Sequence, residues 1–147
     1  KIKLPEELQD IYDTHFFHMT GREFLKFWKL GEEREIPAGY IIRKGEKAKA
    51  VFMIISGRGY VQNDINTIAI LGRGDFAGEM SFISGNPASA DVLSDMKLEL
   101  RVWKRSTLLE LKEKNNDYWI KVQQTLSHDL VAKVRKTTDS AQALKTL

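Results

Sequence analysis

Residues 72–90, with the sequence GRGDFAGEMSFISGNPASA, form the segment of the chain whose residue types are best suited to hold a small ligand. Gly78 lacks a Cβ, so the backbone there can come close to a bound molecule. A short helix is predicted to start near Glu79 and to end at Gly85. Because the first backbone N–H groups of a helix have no partner inside it, we predict an anion-accepting site at this point.

Polar side chains in the same segment could supply the hydrogen bonds that a sugar phosphate needs. We expect Glu79, at the rim of the site, to accept a hydrogen bond from a sugar hydroxyl, and Ser89 to donate one to a phosphate oxygen. The predicted ligand-binding residues are Gly78, Glu79, Met80, Ser81, Ala88, Ser89 and Ala90. The alternative is a segment without a ligand, in which Gly78 serves a tight turn and Glu79 only caps the helix.

Three zones of the chain are expected to position this segment. Residues 1–31 are predicted to be helical, residues 32–104 to form a roll of β-strands that contains the segment 72–90, and residues 105–136 to be helical again. Residues 137–147 are predicted to be a frayed tail. The chain has 147 residues, of which 42% are hydrophobic and 29% charged, so the zones are expected to form one domain.

Short β-type runs separated by glycines predict the architecture of the middle zone. Residues 51–55 and 67–71 are apolar runs typical of buried strands, and residues 98–103 alternate as in a half-buried strand, with Trp103 among the outward positions. The turn-rich residues 63–66 are expected to join two strands. Many short strands with glycine turns indicate a mainly β protein with flanking helices, a sandwich or barrel of the jelly-roll kind.

The helices have starts that can be read from the sequence. Thr20 and Glu23 have the spacing of a capping box, in which each side chain bonds the other residue's backbone N–H. Ser106 is predicted to cap the first C-terminal helix. Residues 115–117 are predicted to end that helix and to cap the next one.

The last helix, predicted over about residues 118–136, carries an apolar stripe with helical spacing. The stripe consists of Trp119, Val122, Leu126, Leu130 and Val134. Packing within the chain accounts for its first half, whereas its second half extends beyond a compact barrel. We therefore predict a homodimer in which the same helix of two chains forms the interface.

Composition argues against several other function classes. The net charge of +3, without a clustered basic face, predicts no direct binding of nucleic acid. The chain has no cysteine, which excludes disulfides and thiolate chemistry. His15 and His18 are too few for a zinc site, and Asp75 and Glu79 have no nucleophile or histidine near them in sequence, so neither a metal, a cofactor nor catalysis is predicted. No secretory signal is visible, and no apolar run reaches the roughly 18 residues of a membrane helix.

The order of these motifs resembles the cyclic nucleotide-binding domain family over about residues 20–136. Residues 36–39 (IPAG) and 44–46 (KGE) are similar to the family's first hairpin, and residues 51–59 (VFMIISGRG) to its hydrophobic strand and glycine turn. The resemblance implies an eight-stranded jelly roll with flanking helices. It also implies that the last helix covers the ligand pocket or pairs with a second subunit.

The resemblance extends to single positions of the segment 72–90, the phosphate-binding cassette of the family. Gly78 and Glu79 match the family's Gly-Glu pair, whose glutamate contacts the ribose 2′-hydroxyl. Residues 89–90 match the two residues that follow the family's phosphate-binding arginine. That arginine falls at Ala88 in this chain.

The loss of the arginine at Ala88 predicts weak or altered binding of cAMP or cGMP, the small anionic ligands that the resemblance implies. Arg73, which lies at the start of the cassette, is a hypothetical substitute that could reach into the pocket. A divergent cassette of this kind is similar to that of Popeye-like variants, including bacterial ones.

The resemblance implies a regulatory, ligand-sensing domain of a signalling protein in the cytoplasm, and not an enzyme. The alternative is a pseudo-sensor that binds no ligand and acts as a dimerisation and protein-interaction module. The chain begins with Lys1, and we expect a fused output domain or membrane segment outside it. In the second case, this part would be the cytoplasmic domain of a membrane protein.

Overall fold

The computed structural model describes residues 2–129. Along the chain, eight strands and a short helix lie between an N-terminal and a C-terminal group of helices. The N-terminal group comprises a 3-10 turn, Glu6–Leu8, and helices α1, Gln9–His15, and α2, Gly21–Leu30. The strands are β1, Glu32–Ile36; β2, Gly39–Ile42; β3, Ala50–Ser56; β4, Gly59–Asn63; β5, Asn66–Leu71; β6, Phe76–Ala77; β7, Asp91–Ser94; and β8, Leu98–Lys104. Helix α3, Glu79–Ser84, follows β6, and β8 leads into α4, Arg105–Lys114, and a further helix, α5, described over residues 116–129.

The strands form two antiparallel four-stranded sheets. One sheet has the order β1-β8-β3-β6, and the other has the order β2-β7-β4-β5. Within the second sheet, Asn63 pairs with Asn66, so that two residues turn the chain from β4 into β5 as the sequence predicted. The predicted jelly-roll sandwich with flanking helices is therefore confirmed.

Two apolar cores result, because the first sheet is covered on both faces. Ile54 of β3 and Leu98 and Leu100 of β8 belong to the core between the sheets, whereas Val51 and Met53 of β3 belong to the core between that sheet and the helices. Alternate residues of one strand thus face the two cores, as the two-residue period of a strand requires. This arrangement packs α1, α2, α4 and the described part of α5 against the outer face of the first sheet.

Trp103 corrects the alternation predicted for β8, which placed it on an outward face with polar residues. The side chain is fully buried, stacks on Phe27 of α2 with ring centroids 4.7 Å apart, and donates its indole N–H to the Phe27 carbonyl at 2.8 Å. Helices cover the outer face of the sheet here, which the pattern of a single strand does not reveal. The outward position is thus a core position.

The helix starts follow the sequence with one exception. The capping box of Thr20 and Glu23 is present at the start of α2, and Asn115 accepts a hydrogen bond from the Tyr118 N–H at the junction of α4 and α5. Helix α4, however, begins at Arg105 without a side-chain cap, so the predicted cap at Ser106 is wrong. The Arg105 N–H instead donates to a backbone carbonyl, that of Lys49.

The first half of the predicted dimer stripe is buried within its own chain. Trp119, Val122 and Leu126 of α5 are at most 6% exposed and belong to the core between the helices and the first sheet. These three residues are therefore not available to a second chain, in agreement with the expectation that packing within the chain accounts for the first half of the stripe. Leu130 and Val134 lie outside the described residues.

Candidate functional site

The link between β6 and α3 is built around Gly78. Its φ of 87° lies in the left-handed region, and a Cβ at this position would come within 2.8 Å of the Ala50 carbonyl oxygen. Only glycine meets both conditions without strain. The close approach seen here is to the protein's own backbone, and the predicted approach to a bound molecule stays a prediction. Helix α3 follows at Glu79 and ends against Gly85, as the sequence predicted.

A cavity of about 470 Å³ lies beside this link, between α3, the second sheet and the irregular segment that follows α3. All seven predicted ligand-binding residues line it together. The lining comprises Ile42, Val61, Ile68, Ala69, Leu71, Ala77, Gly78, Glu79, Met80, Ser81, Ser84, Asn86, Pro87, Ala88, Ser89, Ala90 and Val92. The structure thus brings the sequence-predicted residues into one concave site, of a size common for small-molecule pockets.

The second sheet provides an aliphatic wall of the cavity, which the polar residues of the segment 72–90 did not predict. Val61 of β4 and Leu71 of β5 face the cavity from the core side. A bulge lies at Ile68, because Val61 pairs with Ala69 but the next residue, Gln62, pairs with Thr67. The extra residue lets the consecutive Ile68 and Ala69 both line the cavity, where a regular strand would turn one of them away.

Glu79 lies deeper than its predicted place at the rim. Its residue is only 4% exposed, although it begins a helix that faces the cavity. Among residues 2–129, it is the single ionisable residue of the cavity lining. A hydrogen-bond donor of a ligand that reached this depth would meet a carboxylate oxygen, which can accept several such bonds.

Ser81 has a structural task that its prediction as a ligand contact did not anticipate. Its hydroxyl donates to the Asn86 carbonyl at 2.6 Å and accepts from the Ala48 N–H at 3.3 Å. The single hydroxyl hydrogen is therefore already used within the protein. Ser81 joins α3 to the segment after it and to the loop before β3, and so holds the cassette together.

Ala88 is fixed in place through its backbone. Its N–H donates to the Glu46 carbonyl at 2.7 Å, and its carbonyl accepts from the Gly45 N–H at 2.8 Å. The side chain is half-buried against the core between the sheets and lines the cavity. A side chain substituted at this position would therefore start from a well-defined point on the cavity wall.

Arg73 does not replace the missing arginine. Its guanidinium donates to both carboxylate oxygens of Asp10 in α1, at 2.8 and 3.1 Å, and to the backbone carbonyls of Glu7 and Ile55. It lines a different depression and not the cassette cavity. The hydrogen bond from Arg73 holds the pKa of the Asp10 carboxyl below its usual value, so the pair stays ionised and Arg73 stays bound to the N-terminal helix.

The two N-terminal histidines do not share a helix face, because α1 ends at His15. The His15 ring packs edge-on against Phe76, and His18 lies beside His128 with ring centroids 5.6 Å apart. Over residues 2–129, no three histidine, aspartate or glutamate side chains come together in a way that could hold a metal ion.

Helix α5 does not cover the cavity with any residue between 116 and 129, so the predicted lid is wrong for this part of the helix. It lies behind α3 instead, where the Trp119 ring meets the Phe82 ring edge-on with centroids 5.7 Å apart. Phe82 is buried on the side of α3 that faces the helical core. Movement of α3 toward or away from the cavity would therefore change the contact between Phe82 and Trp119 of α5.

The family model of the cyclic nucleotide-binding domain matches residues 33–115, more than half of the chain. The chain belongs to the cyclic nucleotide-binding domain family. A solved structure of such a domain from Methylobacillus flagellatus is similar over 97% of this chain and 84% of that one, with a TM-score of 0.83 and 27% identity. The chain is thus a regulatory domain of the cyclic nucleotide-binding type.

Two potassium channels are among the relatives of this cyclic nucleotide-binding domain. It is 43% identical over 68 residues to a cyclic nucleotide-gated potassium channel of Rhizobium etli, a match that covers 46% of the domain and 19% of the channel. It is 28% identical over 136 residues to the human voltage-gated delayed rectifier potassium channel KCNH8, covering 90% of the domain and 12% of the channel. The domain therefore spans less than a fifth of the length of these relatives.

The described part of the domain contains no helix with both the length and the apolar character needed to cross a lipid bilayer.

Proposed function

We propose that this domain senses a small ligand in the cassette cavity and that it binds cyclic nucleotides such as cAMP or cGMP weakly. One observation carries the proposal: the cavity gathers the Gly78–Glu79 pair and Ser89 around a position, Ala88, where the family's arginine would stand. The frame for a cyclic nucleotide is kept, while its principal charge contact is replaced by a methyl group. The ligand-binding roles of the remaining lining residues belong to the same proposal.

The missing arginine sets the expected size of the effect. A hydrogen bond to a charged group contributes about 1.5–3 kcal/mol, which corresponds to roughly 10–150-fold in affinity. The bound phosphate would also lack a counter-charge, since no lysine, arginine or histidine of residues 2–129 lines the cavity. We therefore expect dissociation constants well above those of a domain with a complete cassette.

The signal is proposed to run from the cavity to α5 through α3. A ligand held by Glu79 on one side of α3 would bias the position of Phe82 on the other side, and Phe82 contacts Trp119. Ligand binding would then shift a population between two positions of α5. Because two relatives are potassium channels, we propose a fused channel or other output domain as the partner, with this domain on the cytoplasmic side.

Titration calorimetry with cAMP and cGMP on the native chain and on Ala88→Arg tests the proposal. We expect weak binding by the native chain and a gain of about 10–150-fold in Ala88→Arg. Ala38→Arg is the matched control, because it adds the same charge at an exposed position that does not line the cavity. If millimolar nucleotide gives no heat with either the native chain or Ala88→Arg, the cavity is not a nucleotide site.

The second candidate is the ligand-free interaction module. Two observations favour it. The Ser81 hydroxyl donates its hydrogen to the Asn86 carbonyl and not toward the cavity, and no cation lines the cavity among the described residues. This candidate predicts that the native chain gives no heat of binding with any nucleotide, whether or not Ala88→Arg does. Heat of binding by the native chain would remove it.

A further inference from the structure

We infer that the cassette cavity prefers an uncharged ligand, with an apolar ring body and hydrogen-bond donors, over an anionic one. The inference rests on the proposed function in one respect, namely that the cavity is a ligand site. It goes beyond the proposed function, which states only that cyclic nucleotides bind weakly. Here the negative charge of a phosphate makes binding weaker than that of an uncharged molecule of the same shape. Three features of the cavity carry it.

The first feature is the charge of the lining. Of the seventeen residues that line the cavity, Glu79 alone is ionisable among those the structure describes, and it is an acid. A phosphate that entered would leave its solvating water without meeting a positive side chain from residues 2–129. Burying a charge without a counter-charge costs far more than burying a neutral group of the same shape.

The second feature is that four basic side chains make contacts outside the cavity. Arg73 is bound to Asp10, the Arg43 guanidinium lies 4.1 Å from the centre of the Tyr40 ring, and the Arg105 guanidinium lies 5.3 Å from that of Phe82. The Lys44 ammonium donates to the Asn63 side chain at 3.0 Å. None of these four side chains lines the cavity, and drawing one inward would break the contact it now makes.

The third feature is the aliphatic wall opposite α3. The wall is formed by Ile42, Val61, Leu71 and Val92, which also belong to the core between the sheets, and Ile68 extends it through the bulge. An apolar ring that displaces water from this wall binds with a favourable free energy, whether or not the ligand is charged. The buried Glu79 carboxyl has a contact within the protein and two oxygens, which can accept a further hydrogen bond from a hydroxyl or amino donor. Wall and acceptor together fit a neutral, ring-containing molecule.

The charge can be tested separately from the shape by comparing cAMP with its neutral methyl phosphotriester, which keeps the base, the sugar and the cyclic phosphate ring. In calorimetry with the native chain, we expect the triester to bind at least about tenfold more tightly than cAMP, equivalent to roughly 1.4 kcal/mol. Adenosine, which also lacks the charge, should likewise bind more tightly than cAMP. In Ala88→Arg the order should reverse, because the added guanidinium rewards the anion.

The outcomes separate this inference from the proposed function. If the native chain binds cAMP as tightly as the triester or more tightly, the inference is wrong and the proposed function stands. If the triester gives no heat with the native chain, the inference is also wrong, and the cAMP titration of Ala88→Arg then decides whether the cavity is a nucleotide site at all. Ala38→Arg should keep the order of the native chain, since its charge is remote from the cavity.

Discussion

At the scale of the residue, Gly78 and Ala88 have opposite consequences for the cassette. Gly78 is required by its backbone angle and by the nearby Ala50 carbonyl. A glycine before a helix start indicated a special backbone position, but the Ala50 carbonyl is distant in sequence and could not be predicted. Ala88 could be identified only by aligning the chain with a known family, because an alanine carries no chemical signal of its own. Glu79 was predicted as a contact, but its burial depends on strands distant in sequence.

A pair of glycine variants tests how tightly the cassette backbone is determined. Gly85 also has a left-handed φ, 75°, but a Cβ there would meet no atom within 4 Å. We expect Gly85→Ala to lower the free energy of unfolding by about 1 kcal/mol from backbone strain alone, and Gly78→Ala by roughly 2–4 kcal/mol because a clash is added. Urea denaturation measures both. Equal losses would show that the Ala50 carbonyl yields without cost.

At the scale of the element, helix α2 is tied to α5 through Glu23. Its carboxylate caps α2 and accepts from the Lys121 ammonium at 2.8 and 3.0 Å, while the Tyr118 hydroxyl donates to the Glu23 carbonyl. The capping box could be predicted from the spacing of Thr20 and Glu23, since it involves only neighbours in sequence. The bond to Lys121 could not, because the two residues come together only when the helices pack.

Substitutions at Glu23 separate the cap from the interhelical pair. Glu23→Gln keeps an acceptor for the cap but loses the charge, so we expect a loss of about 0.5 kcal/mol in the free energy of unfolding; Glu23→Ala loses both, about 1–2 kcal/mol. Glu110→Gln, at an exposed pair within α4, is the matched control and should change stability much less. A loss for Glu23→Gln as large as for Glu23→Ala would contradict this division.

The same contact has a defined pH dependence. The hydrogen bond from Lys121 holds the pKa of the Glu23 carboxyl below its ordinary value of 4.5. The stabilisation is therefore present above about that pH and is lost as the pH falls through the lower pKa of the folded state. Urea denaturation of the native chain and Glu23→Gln at a series of pH values should show their stabilities converge in acid.

At the scale of the whole molecule, the sequence predicted the jelly-roll class because glycine turns and short apolar runs recur between residues 32 and 104. It did not predict which sheet the helices cover, and for that reason Trp103 was placed wrongly. Trp119, Val122 and Leu126 pack in their own chain as expected, although an apolar helix face by itself fits its own core and a partner helix equally well. Only the packed structure distinguishes the two.

The predicted homodimer now depends on the residues of the stripe after Leu126. We expect Leu130→Asp with Val134→Asp to convert a dimer to a monomer in light scattering, while the monomer keeps a cooperative urea transition at a midpoint lowered only by the lost association. Val122→Asp, by contrast, should unfold the domain, because Val122 is fully buried in its own chain. A monomeric native chain at high concentration would contradict the dimer, and unfolding of the double variant would place both residues in the core instead.

The proposed function depends on whether the cavity has every contact that a cyclic nucleotide needs except the arginine at position 88. Titration of cAMP into the native chain and Ala88→Arg, side by side under one salt condition, tests this most directly. We predict weak binding by the native chain and a gain of about 10–150-fold in the variant, with no gain in Ala38→Arg. Silence of both the native chain and Ala88→Arg at millimolar cAMP would contradict the account.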